Sequence, residues 1–168
     1  MAREAAKRIQ GLPVLVTSPL DVARLVRELE AIDEALLQLG LRQPGAEVKM
    51  PKTSRLMDQV ILLNELNLLY PEDRLLLQQF LRAVKERAPV VHMSFNADPP
   101  VAFMEKLVAW LRREINPLVL VTVGLQPNMG AGCMLRTTNR QFDFSLRQTF
   151  LKNRELLISK LMSEEQAA

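Results

Sequence analysis

The chain has 168 residues, 48% hydrophobic, 24% charged and 5% aromatic, the balance of a folded protein with a real core rather than of a disordered one. The purely apolar run from Leu118 to Val121 falls far short of the roughly 20 residues that a bilayer-spanning helix needs, so no direct membrane insertion is expected. A net charge of +3 and a sequence pI near 9.3, spread without any block of like charges, fit an acidic or amphipathic partner, while the low aromatic content argues against a base-stacking surface for nucleic acid.

Residues 1–11 read as a polar leader. They mix charges of both signs without an apolar stretch, unlike a signal peptide, so a cytoplasmic location is expected. Leu12 to Thr17 is a short extended segment. Ser18-Pro19-Leu20-Asp21 then opens a helix, with Ser18 as N-cap, Pro19 at the first helical position and an acid at the third. That helix is expected to run to Leu39 and stop at Gly40. Val22, Leu25, Leu29, Ile32, Leu36 and Leu39 recur in steps of three and four. This narrow seam suits either a partner helix or the core face of a bundle.

Residues 41–52, broken by Pro44, Gly45 and Pro51, are expected as a loop. Thr53 or Ser54 caps a second helix to about Leu69, with Leu56, Met57, Val60, Ile61, Leu63 and Leu66 on it. Tyr70-Pro71 opens a third, with Leu76, Phe80, Leu81 and Val84 inward and Ala88-Pro89 as its end. Past Pro89 the period becomes two: Val91, Met93 and Phe95 point one way and His92 and Ser94 the other, as in a half-buried strand. Asp98-Pro99 opens a fourth helix, its inner face expected at Phe103, Leu107, Trp110, Leu111 and Ile115. Leu118 to Val123 reads as a central strand buried on both faces. A turn region, a strand from Gly132 to Thr137, a hairpin at Asn139, a return strand and a last helix from about Phe144 to Met162 complete the chain. The expected fold class is therefore α+β, with an N-terminal region of about three helices (1–88) and a β-α-β-β-α domain (89–168).

Chemistry is hard to assemble from these residues. The glycines 124, 130 and 132 join strand to strand and lack the spacing of a phosphate-binding loop. Asp143 and Ser145 suggest a hydrolytic pair, yet the single histidine, His92, belongs to another strand, and a capped helix entry explains both residues. One histidine and one cysteine, Cys133, fall short of a transition-metal set. No catalytic, metal or cofactor residues are assigned, and no small-molecule ligand is expected.

The stretch from Met129 to Phe150 resembles the C-terminal signature of the delta subunit of bacterial F-type ATP synthase, the family of the mitochondrial oligomycin-sensitivity-conferring protein. Ala131 and Gly132 match its small pair, Leu135 and Arg136 its strand end, and Asp143, Ser145 and Arg147 its helix entry. The strand, helix and strand upstream follow the same order, so the resemblance covers about residues 88–162. It departs in having three helices rather than six before Pro89 and Phe144 where relatives often carry glycine.

The resemblance implies a non-catalytic stator connector, peripheral on the cytoplasmic side of the membrane. Such a protein joins the N-terminal helices of the alpha subunits to the C-terminal helix of the b-type stalk and resists rotor torque during proton-coupled ATP synthesis. The alternative weighed against it is a basic RNA-binding α+β domain, which the missing G-x-x-G loop and the absence of a strand of exposed aromatics disfavour.

Overall fold

The computed structural model describes residues 9–42, 50–129, 131–137, 139–146, 151–156 and 158–159. It is a mixed structure of helices and one four-stranded sheet, in keeping with the α+β class. Two compact units divide it: residues 1–90 with 101–121, and residues 91–100 with 122–168.

In the first unit, α1 (Pro19–Arg42) starts where its cap predicts. The Asp21 carboxylate accepts from the backbone N–H and hydroxyl of both Thr17 and Ser18, and the Asp21 N–H returns a bond to the Ser18 hydroxyl. This reciprocal box satisfies donors that the first turn would otherwise leave free. The helix runs through Gly40 rather than stopping there. Glycine permits a stop without imposing one.

The second helix, α2 (Arg55–Asn64), has Ser54 as N-cap, whose hydroxyl accepts from the Met57 N–H. It ends five residues before the expected Leu69. Glu65 is left-handed (φ 51°), its N–H reaches the Leu62 carbonyl and the Leu66 N–H reaches that of Ile61. That is a Schellman closure without a glycine to announce it. The third helix, α3 (Pro71–Arg87), buries Leu77, Leu81 and Val84, and its Arg74 bonds Asp33 of α1 and the Leu68 carbonyl.

The core of this unit gathers Val22, Leu25, Leu29, Ile32 and Leu36 of α1 with Met57, Val60, Leu77, Leu81 and Val84, and takes in Val16 and Leu120. Each such side chain, fully buried, contributes about 1.5 to 3 kcal/mol.

The fourth helix, α4 (Val101–Glu114), is rotated from its expected phase. Met104, Val108 and Leu111 are buried, whereas Phe103, Trp110 and Ile115 are exposed. Arg112 explains the rotation. Its guanidinium donates to the carbonyls of Leu12, Pro13, Val16 and Val119, which turns inward the face it shares with Val108 and Leu111.

The sheet has the order β2-β1-β3-β4, built from β1 (Val90–Phe95), β2 (Leu120–Leu125), β3 (Cys133–Arg136) and β4 (Gln141–Asp143). The Leu120 N–H donates to the Pro89 carbonyl and the Gln126 N–H to that of Phe95. The sequence offset is equal at both ends, so β1 and β2 run parallel. Strand β2 is thus an edge strand, not the central one expected. Its apolar start has another cause: Val119, Leu120 and Val121 are buried in the first unit, where the Val121 N–H donates to the Thr17 carbonyl. Farther along, Val123 and Leu125 are exposed.

In the second unit, β1 alternates as expected, with Val91, Met93 and Phe95 buried. It pairs antiparallel with β3, His92 opposite Arg136 and Ser94 opposite Met134. Strand β3 pairs with β4, Arg136 opposite Gln141 and Leu135 opposite Phe142. The hairpin is closed by the Thr137 N–H to the Arg140 carbonyl at 2.8 Å. Of the expected last helix, residues 151–152, 154–156 and 158–159 are helical and the remainder lies largely outside the described residues.

Candidate functional site

The segment that first suggests a site, residues 131–146, is a tight backbone crossing. After β4 the chain continues antiparallel to the residues leading into β3: the Phe144 N–H donates to the Cys133 carbonyl at 2.9 Å and the Leu146 N–H to that of Ala131 at 2.7 Å. Gly132 sits inside this crossing at φ +112°, where a Cβ would lie 2.4 Å from the Phe144 carbonyl oxygen and 2.8 Å from the Ser145 Cα. Only glycine supplies both the dihedral and the clearance. The Asp143 carboxylate accepts from the Ser145 N–H at 2.8 Å, an Asx turn, and Ser145 is buried.

Four of the motif residues, Ala131, Gly132, Asp143 and Ser145, therefore meet in one place. Leu135 and Arg136 stand further up the hairpin, half-buried and exposed respectively, and Arg147 lies outside the described residues.

Among the described residues no hydrogen bond joins an imidazole to the Ser145 hydroxyl. His92 is exposed on β1 opposite Arg136, and Cys133 pairs with Phe95, one residue out of phase with His92. Desolvation pushes the Cys133 thiol above its ordinary range, away from a nucleophilic thiolate. Among the described residues no group of three or more His, Cys, Asp and Glu could hold a metal ion.

Two exposed aromatic rings flank the crossing in the chain. Phe142 and Phe144 stack with ring centroids 6.2 Å apart and interplanar angle 14°, yet are 40% and 58% exposed. Leu146, Leu151, Leu156 and Ile158 follow along the chain, each more than two-fifths exposed. Exposed side chains of this size are candidates for contact with another molecule.

In the first unit, the α1 seam is spent internally. Val22, Leu25, Leu29, Ile32 and Leu36 are buried in the core, and only Leu39 is exposed. What this unit leaves open is a groove of about 540 Å³ between the extended segment and α2, lined by Pro13, Val14, Leu15, Leu62 and Leu63 with Arg55, Gln59 and Glu105 at its margin.

Two organising residues escape sequence reasoning. Burial lowers the Arg112 guanidinium to about 10, so it stays charged at neutral pH while holding four carbonyls. Buried Asn64 accepts from the N–H groups of Gln10 and Gly11 and donates to the carbonyls of Gly11 and Val60. In the sequence both look like ordinary polar residues of amphipathic helices, since their partners lie 53 to 100 residues away, apart from Val60 and Val119. The chain matches no family model and none of the curated proteins with which it was compared.

Proposed function

We propose that this chain is a non-catalytic stator connector, akin to the delta subunits of F-type ATP synthases. In this reading the second unit receives the C-terminal helix of the b-type stalk, and the first unit meets N-terminal helices of alpha subunits. The observation that carries the proposal is the run of exposed apolar side chains Phe142, Phe144, Leu146, Leu151, Leu156 and Ile158 along the chain, which begins at the crossing where Gly132 meets Phe144 and Ser145. An amphipathic helix laid on such a run would gain affinity from apolar anchors, and the chain's positive charge would steer an acidic helix toward it. The groove beside Leu62 and Leu63 suits a helix in the same way. The protein would then work peripherally on the cytoplasmic side of the membrane, passing torque as a strut without chemistry of its own.

The test is calorimetric titration of the full chain with a peptide spanning the C-terminal helix of the b-type stalk. Wild type is expected to bind in the micromolar range, about −8 kcal/mol. A Phe142→Ser, Phe144→Ser double variant should lose at least about tenfold in affinity while melting within a few degrees of wild type. Absence of binding by the wild-type chain at about 100 μM would sink the proposal. Salt-sensitive capture of mixed RNA in its place would favour the RNA-binding alternative.

A further inference from the structure

The other face of the sheet in the second unit is polar, and its side chains converge. The strand registers place His92, Arg136 and Gln141 in one row across β1, β3 and β4, and Ser94, Met134 and Asp143 in the next. Gln126 closes the end of β2, and Gly124 contributes no side chain: a Cβ there would lie 3.4 Å from the Ser94 hydroxyl. The result is a hollow of about 550 Å³ lined by His92, Ser94, Gln126, Met134, Arg136, Thr137 and Gln141.

Its charge is unbalanced. Among the described residues no carboxylate lines the hollow. Asp143, the one acid in the two rows, bonds the Ser145 N–H. Arg24, Arg74, Arg82 and Arg113 each face a carboxylate; among the described residues Arg55, Arg87, Arg136 and Arg140 do not, and of these Arg136 lines the hollow. Directly opposite it on the neighbouring strand is the His92 imidazole, so an anion between the two takes donors from both.

We propose that this hollow is a binding site for a small oxyanion, a phosphate or a carboxylate, held between Arg136 and His92. The planar guanidinium fork matches two oxygens of either group. The imidazole offers a ring N–H, and Ser94 and Gln126 offer a hydroxyl and an amide. With a single fixed cation at an exposed site, affinity in the millimolar range is expected, since water screens most of the Coulomb attraction. The site departs from the expectation that the chain takes no small ligand. It rests on the sheet alone and stands or falls separately from stalk binding.

The sequence supplies its own probe, because His92 is the only histidine. The Cε1–H resonance of the full-length chain, followed by NMR at constant neutral pH and ionic strength, should move saturably with inorganic phosphate or sodium acetate and stay still with sodium chloride. The tighter of the two anions identifies the phosphoryl or the carboxylate preference. Arg136→Gln should weaken binding about tenfold, and Gln126→Ala, outside the strands, should weaken it a few-fold even if the first variant folds poorly. An unmoved His92 signal, an equal response to chloride, or undiminished binding by a folded Arg136→Gln chain would overturn the proposal.

Discussion

The two units close themselves in opposite ways. The first is tied by polar side chains that reach far along the chain: Arg112 to the carbonyls of Leu12, Pro13 and Val16, and Asn64 to Gln10 and Gly11. The second is tied mainly by the backbone, through the antiparallel pairing of β1 with β3 and the shorter-range bonds of Thr137 to Arg140 and Phe144 to Cys133. Long-range ties enclose the apolar core of the first unit, although Leu62, Val101, Trp110 and Ile115 stay exposed on it, and local ties shape a hairpin that leaves Phe142, Phe144 and Leu146 in solvent. The first unit is thus closed by the reach of polar side chains, and the second by a hairpin and its backbone crossing.

Arg112→Met tests that contrast most severely. Removing the guanidinium strands four carbonyls, and bonds to a charged donor are worth more than neutral ones, so a loss of about 3 kcal/mol or more is expected. Denaturant titration should report it, and amide exchange should locate it in α4 and the segment from Leu12 to Val16. Arg112→Lys should recover only part, since an ammonium lacks the fork that spans several acceptors. A loss below about 1 kcal/mol in Arg112→Met, close to the scatter of ordinary substitutions, would mean that apolar packing alone holds the extended segment.

Gly132→Ala applies the same question to the second unit. The added Cβ would overlap the Phe144 carbonyl, and backbone at φ +112° is costly for any L side chain. A loss of about 2 to 3 kcal/mol is expected, read as faster exchange of the Phe144 and Leu146 amides. If those amides are unaffected, the crossing is not what fixes the hairpin. Stalk-peptide binding by the same variant should fall with the crossing, because Phe142 and Phe144 would lose their common orientation.

Much of this architecture was legible in the sequence wherever a backbone rule acts locally. Ser18-Pro19 with Asp21, Ser54, and Pro71 mark helix starts, and the alternation through His92 marks β1. Features set by tertiary partners were not legible. The α4 pattern holds two apolar stripes, and Arg112 decides which of them turns inward. The apolar run before Thr122 looks like a central strand because it is buried, though by the first unit's packing rather than by strands on both sides. Within the candidate site the glycine, the Asx turn and the buried serine could be anticipated from residue type. The exposure of Phe142 and Phe144 could not, because hydrophobicity does not say which apolar residues are left uncovered.

The smallest effect concerns a position where the chain breaks a local rule. Glu65 closes α2 in the left-handed region with its carboxylate in solvent, a conformation that glycine adopts without strain. Glu65→Gly should relieve roughly 1 kcal/mol of backbone cost and give part of it back through the freer unfolded chain. The expected net gain is about 0.5 kcal/mol, seen as a rise in melting temperature of a few degrees. The Schellman bonds from Glu65 and Leu66 to Leu62 and Ile61 use only backbone atoms, so the substitution keeps them. A destabilised Glu65→Gly variant would show instead that the glutamate contributes through its side chain. The early end of α2 would then owe more to that contact than to the buried Asn64 amide and Leu66 on either side of it.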